Sequence, residues 1–172
     1  MATAIAAAKP RPIRISLAPT WIDRFLAAAA IVLLAMVLAA LWRGRGEWHL
    51  VPDFVWPHIA TIATALALTP VMLLRRRGDR LHRRLGWVWS AAMILTAGFS
   101  FGIRGINDGG FSFIHLFSVL TLVQVPVILW TARTHRHARH RNTVRAMVAF
   151  ALLTAGFFTF PFDRMLGSWL FG

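Results

Sequence analysis

Between Trp21 and Trp42 the chain reads WIDRFLAAAAIVLLAMVLAALW, and past Asp23 and Arg24 it carries no charged side chain over that length. About 20 apolar residues at about 1.5 Å per residue cross a hydrocarbon core of about 30 Å. The stretch therefore predicts a transmembrane helix over residues 21–42. Four more blocks of the same kind follow, over residues 57–74, 85–103, 111–132 and 146–162. Composition agrees: 58% of the 172 residues are hydrophobic and 15% are charged, with a mean hydropathy of +0.62. Soluble domains run near 45–50% apolar and about 25% charged. The expected fold class is all-α: a polytopic transmembrane helical bundle of five spans in one domain, residues 21–172, after a cytoplasmic tail of residues 1–20.

Several chemistries are excluded at once. The chain has no cysteine, which removes thiolate zinc sites, iron–sulfur clusters, covalently attached haem and cysteine nucleophiles. No phosphate loop, paired carboxylates or nucleophile–base arrangement is visible, so no hydrolase or transferase motif is present.

The net charge of +13 sorts by connection. Fifteen basic residues lie in the tail, at the start of the first span, or in the second–third and fourth–fifth connections. Only Arg43, Arg45, Arg104 and Arg164 lie at the other end, together with Glu47, Asp53, Asp108 and Asp163. Such asymmetry predicts topology, with the N-terminus cytoplasmic and the C-terminus periplasmic in a bacterial inner membrane. Anionic lipid headgroups, not nucleic acid, are the natural partners of these arginines. All eight tryptophans fall at span ends or in loops, where an amphipathic ring prefers the interface. The segment Trp48 to Trp56 is expected along the membrane surface.

The sequence also repeats. At an offset of 58 residues Leu95-Thr96-Ala97-Gly98-Phe99 becomes Leu153-Thr154-Ala155-Gly156-Phe157, and His82-Arg83 becomes His140-Arg141. At nearly the same offset His58 meets His115, and Pro70-Val71 meets Pro126-Val127. Two tandem helical hairpins of the same orientation predict a four-helix core with a pseudo-two-fold axis along the membrane normal. The first span stands outside this relation and packs on that core. Pro70 and Pro126 are expected to bend their helices at equivalent depths.

The repeat groups four histidines into two pairs, His58 with His115 at the outer ends of their helices and His82 with His140 at the inner ends. Two neutral imidazoles across a gap suit the axial ligation of a b-type haem. Gly98 and Gly156, near the level of the outer pair, leave room for the edge of a ring. At the inner face Arg83 and Arg141 suit its propionates. His115, inside an apolar span, is the most costly of the four to leave unpartnered. Apart from haem iron no metal site is expected: the tract His135, His137, His140 is embedded in arginines that repel a divalent cation. His49 reads as a loop residue, and Arg104 with Asp108 as a local pair at i,i+4.

The pattern from His58 through His82-Arg83-x-x-Gly86 to His140-Arg141 resembles an uncharacterised family of small bacterial membrane proteins, a domain of unknown function, over roughly residues 55–165. More distantly, four histidines on four consecutive helices resemble the ascorbate-reducible transmembrane di-haem cytochromes b. That resemblance implies one haem between the second and fourth helices and another between the third and fifth. It pairs His58 with His115 and His82 with His140. The chain departs from that family in having five spans where the family has six, and in its more superficial inner histidines.

The leading expectation is a transmembrane electron carrier or oxidoreductase subunit with one or two haems b, working between a donor and an acceptor such as a quinone or redox protein. The alternative is a haem-free structural or accessory membrane protein with interfacial histidines. A small transporter comes third, because beyond Gln124 and a few threonines the spans offer no polar path.

Overall fold

The computed structural model describes residues 18–103 and 110–172. Within them the regular structure is entirely helical. Helix α1 (Trp21–Arg43) starts at Thr20, whose backbone N–H donates to the Asp23 carboxylate at 2.8 Å, so the first turn closes on its own acid. It tightens into a 3₁₀ segment, Gly44–Leu50. Helix α2 (Val55–Leu74) and helix α3 (Arg80–Ser100) are joined by a turn at Gly78, where φ is +85°. Asp79 caps α3 by accepting from the His82 backbone N–H at 2.6 Å. Helix α4 (His115–Arg133) follows. Then comes a continuous rod made of α5 (His137–Ala146), a π-helical segment (Met147–Thr154) and α6 (Ala155–Phe157). A short α7 (Met165–Phe171) ends the chain.

Among the described residues three helices are long and apolar enough to cross a membrane: α1 with its 3₁₀ extension, α2 and α4. The first turns of α3 and α5 are rich in arginine and histidine, which dilutes their hydropathy. The last rod begins nine residues before the span expected at 146 and stops at Phe157, short of 162. The chain turns there through Phe162 and Asp163, both in the left-handed region (φ 65° and 54°).

Packing runs around a ring. Helix α1 lies beside α2, α2 beside α3, α3 beside α4, α4 beside α5 and the π-helical segment, and that segment returns to α1. Thus α1 is a stave of the wall between α2 and the last rod. Its inward residues Leu26, Ala30, Leu33, Val37 and Ala40 recur every three or four positions and are buried. Opposite them Leu66, Met93, Val125, Val148 and Leu152 complete the core. The outward faces are apolar as well: Phe25, Ile31, Val32, Val88, Leu95, Leu116, Val119 and Val123 are exposed. A girdle of that kind is a liability in water and a match for lipid.

Two of the tryptophans are buried by packing within the bundle. Trp89 is buried, and its indole N–H donates to Thr69 Oγ1 at 3.0 Å while Thr69 donates to the Ala65 carbonyl at 2.7 Å. Trp169 is also buried, with its N–H on Glu47 at 2.8 Å. That contact docks α7 against the end of α1, where a Cβ on Gly44 would stand 2.0 Å from the Trp169 ring. A buried indole N–H normally finds a hydrogen-bond partner, as both do here.

At the other end Asp23 is fully buried and holds two arginines, Arg77 at 2.7 Å and Arg145 at 2.8 Å. One carboxylate therefore ties the start of α1 to the α2–α3 turn and to α5.

Candidate functional site

The bundle encloses a cavity of about 340 Å³ in the half opposite the Asp23 cluster. Every long helix contributes: Leu33 and Val37 from α1, His58 and Ile62 from α2, Thr96 and Ser100 from α3, His115 and Ser118 from α4, Leu152 and Gly156 from the last rod. The volume lies within the ordinary range for small-molecule and cofactor sites. His58 and His115, which the repeat pairs, line the same cavity from different helices.

Each imidazole is held by one nitrogen. His58 Nδ1 lies 3.0 Å from the Thr96 carbonyl oxygen. A carbonyl only accepts, so the ring proton sits on Nδ1 and the Nε2 lone pair is left available. This is how metal-binding histidines are oriented: the second nitrogen donates to a carbonyl or carboxylate. His115, 7% exposed, meets Ser112 from both sides. The Ser112 backbone N–H donates to its Nδ1 at 3.0 Å, and the Ser112 carbonyl oxygen lies 3.1 Å from the same nitrogen. Ser112 thus offers a partner for either tautomer. The other nitrogen, Nε2, is buried with no hydrogen-bond partner among the described residues. Buried polar atoms nearly always have a partner, so this nitrogen is an unmet hydrogen-bonding group among the described residues. Phe111 meets the His115 ring edge-to-face at 5.1 Å.

The remaining polar groups are satisfied among themselves. Thr96 Oγ1 donates to Thr61 Oγ1 at 2.8 Å, and the Ser100 and Ser118 hydroxyls share a short bond between α3 and α4. This hydroxyl set escaped sequence reading, although a signal was present. His115, Ser118 and Thr121 recur at i,i+3 and form one buried face of α4. Arg164, which lines the cavity, carried no local signal. Neither did the π-helical segment, a kind of element that often lies at functional sites; its Ala151 and Leu152 turn into the cavity.

The two glycines are not equivalent. Gly156 lines the cavity, and a Cβ there would stand 2.6 Å from Leu33 Cδ2, so its missing side chain admits α1. Gly98 is exposed, with open space where a Cβ would go, and lies away from the cavity. A contact with a cavity ligand is therefore available to Gly156 alone.

At the inner end His140 Nδ1 donates to the Ile128 carbonyl at 3.1 Å, pinning α5 to α4. His82 Nδ1 is buried without a partner among the described residues. Both imidazole pKa values are lowered by burial, and that of His82 is lowered further by the neighbouring His140. The inner pair lines neither the central cavity nor the open groove between α1 and α5. Arg83 is exposed and donates to the Gly78 carbonyl at 2.6 Å, closing its own turn. Arg141 has its Nε buried without a partner among the described residues. The rings of His135 and His137 lie 6.0 Å apart, and among the described residues no three histidine or acid side chains converge as a metal cluster. Arg104 and Asp108 lie outside the described residues.

The chain matches no family model, no curated protein and no solved structure. What the site can do rests on its own geometry. Two imidazoles, one with its lone pair free and the other with an unpartnered nitrogen, share a largely apolar cavity inside a helical bundle.

Proposed function

We propose that the chain is a transmembrane haem-b protein that carries electrons, with His58 and His115 as the axial ligands. One observation carries this: two imidazoles from different helices line one largely apolar cavity of the bundle, each held through Nδ1. Haem held by two imidazoles has no open coordination position and supplies one-electron transfer. Here His58 keeps its proton on Nδ1 through Thr96, which makes Nε2 the basic nitrogen. His115 moves its proton to Nδ1 by donating to the Ser112 carbonyl. Apolar walls from Leu33, Val37, Ile62 and Leu152 exclude water. Arg164 in the cavity lining is a cation suited to a propionate.

The same proposal takes as spans, alongside α1, α2 and α4, the apolar lengths that begin at Leu85 in α3 and at Ala146 in the last rod, which leaves His82 and His140 outside them. It makes the bundle a five-span protein with two hairpins in parallel repeat, N-terminus cytoplasmic and C-terminus periplasmic in a bacterial inner membrane. The basic asymmetry of the connections supports this, as does the Asp23 cluster, which gathers the start of α1, the α2–α3 turn and α5 at one end. The expected donor and acceptor are a quinone or a redox protein.

The decisive experiment is the visible spectrum of the full chain purified in detergent from haem-sufficient cells. Sharp reduced bands of bis-imidazole iron at one haem per chain are expected; a second equivalent would point to His82 and His140. A colourless preparation would favour the haem-free structural alternative. A periplasm-only reporter fused after Gly172 should be active, and activity of a cytoplasm-only reporter there would overturn the orientation.

A further inference from the structure

The surface at the Asp23 end carries a feature independent of the cavity. Trp87 of α3 and Trp130 of α4 are 52% and 44% exposed. Three guanidiniums lie on their faces: Arg133 over Trp87 at 5.2 Å, Arg136 over Trp130 at 4.4 Å and Arg139 over Trp130 at 5.7 Å. Two cations sharing one indole repel each other, and the ring quadrupole offsets only part of that repulsion. An acid would normally complete such a group, but none is within reach. Asp79 is taken by Arg75 at 2.8 Å, and Asp23 by Arg77 and Arg145. Among the described residues Arg133, Arg136 and Arg139 make no ion pair.

We propose that this Trp–Arg patch is a binding site for an anionic phospholipid. A guanidinium over an indole spends none of its N–H donors on the ring's carbon face, and paired N–H groups match phosphate oxygens. Below the patch, Val119 and Val123 on α4 and Val88 and Leu95 on α3 are exposed and apolar. They offer acyl chains a surface continuous with the headgroup site. The depth is also right, since exposed tryptophans favour the interface where lipid phosphates lie. A soluble anion would satisfy the arginines but leave that strip uncovered. Lipid satisfies both.

The test is titration of the detergent-purified full chain with short-chain phosphatidylglycerol, phosphatidylcholine and inorganic phosphate, read by tryptophan emission and by thermal midpoint. Phosphatidylglycerol should shift both readouts, and phosphatidylcholine at the same concentration should not. With each arginine near an anionic surface worth roughly fivefold, R133Q/R136Q/R139Q should bind about 100-fold more weakly. Arg45→Gln, at the opposite end, should bind as the parent does. The single variant Arg136→Gln, expected to lose roughly fivefold, keeps the test valid if the triple variant does not fold. An equal response to phosphatidylcholine, an unchanged affinity in the triple or single variant, or an equal response to inorganic phosphate would overturn the proposal. None of these readouts depends on haem.

Discussion

His58 Nδ1 sits 3.0 Å from the carbonyl oxygen of Thr96, one helix away. The bond fixes both the tautomer and the orientation of the ring, because a carbonyl can only accept. Tertiary packing of α2 on α3, not local sequence, thus decides which nitrogen faces the cavity.

His115→Ala should remove most of the haem. The variant leaves iron with a single imidazole and enlarges the pocket, so reduced bands should broaden or vanish in spectra normalised to protein. His49→Ala lies in the exposed 3₁₀ segment and should leave the spectrum unchanged. An unaltered spectrum in His115→Ala would mean that haem binds elsewhere.

Gly156→Ala should narrow the cavity and Gly98→Ala should not. The new Cβ at 156 meets Leu33 Cδ2 at 2.6 Å, whereas at 98 it meets open space. Leu33 Cδ2 is the far end of a flexible side chain on the cavity wall, so it yields by turning into the cavity, and haem uptake should fall with the space lost. Adding Leu33→Ala removes the clashing atoms and should restore much of the uptake. If the two alanine variants behave alike, the α1 contact is not what requires glycine.

Asp23→Asn should destabilise the bundle without touching the cavity. It keeps the shape but removes the charge that two guanidiniums share, each about 15% exposed. Removing one member of a buried ion pair costs about 3–5 kcal/mol. A clear drop in thermal midpoint in detergent is expected, and an unchanged midpoint would show that the cluster adds nothing to stability.

Stability should also fall in mild acid. Burial holds His82 and His140 below the ordinary imidazole value of 6.5, so between that value and the folded pKa the unfolded chain binds more protons. Stability is therefore undiminished above pH 6.5 and declines as pH drops below it. Thermal midpoints measured down to pH 5 should slope accordingly, and His82→Gln with His140→Gln should flatten the slope. A parent protein with no slope in that window would contradict the assignment.

Much of this molecule is written locally. The uncharged run after Arg24 and the apolar blocks ending in Leu74 and Arg133 specify helices of membrane length, because hydropathy and rise per residue act along the chain. The repeat placed His58 and His115 at the same end of their helices. Other features required the fold. Trp89 and Trp169 are buried where Thr69 and Glu47 come within hydrogen-bond reach. Gly98 and Gly156 stand in identical five-residue contexts, yet one faces outward and the other admits Leu33, because α1 packs beside the last rod and not beside α3. The same absence of local signal hid Arg164 in the cavity lining, the π-helical turn of the wall and the stacking of Arg136 on Trp130. Sequence determines which segments are helical and which faces are apolar. Contacts between residues far apart in the chain are set by how the helices close around one another, and there the tertiary structure alone decided which side chains share a cavity.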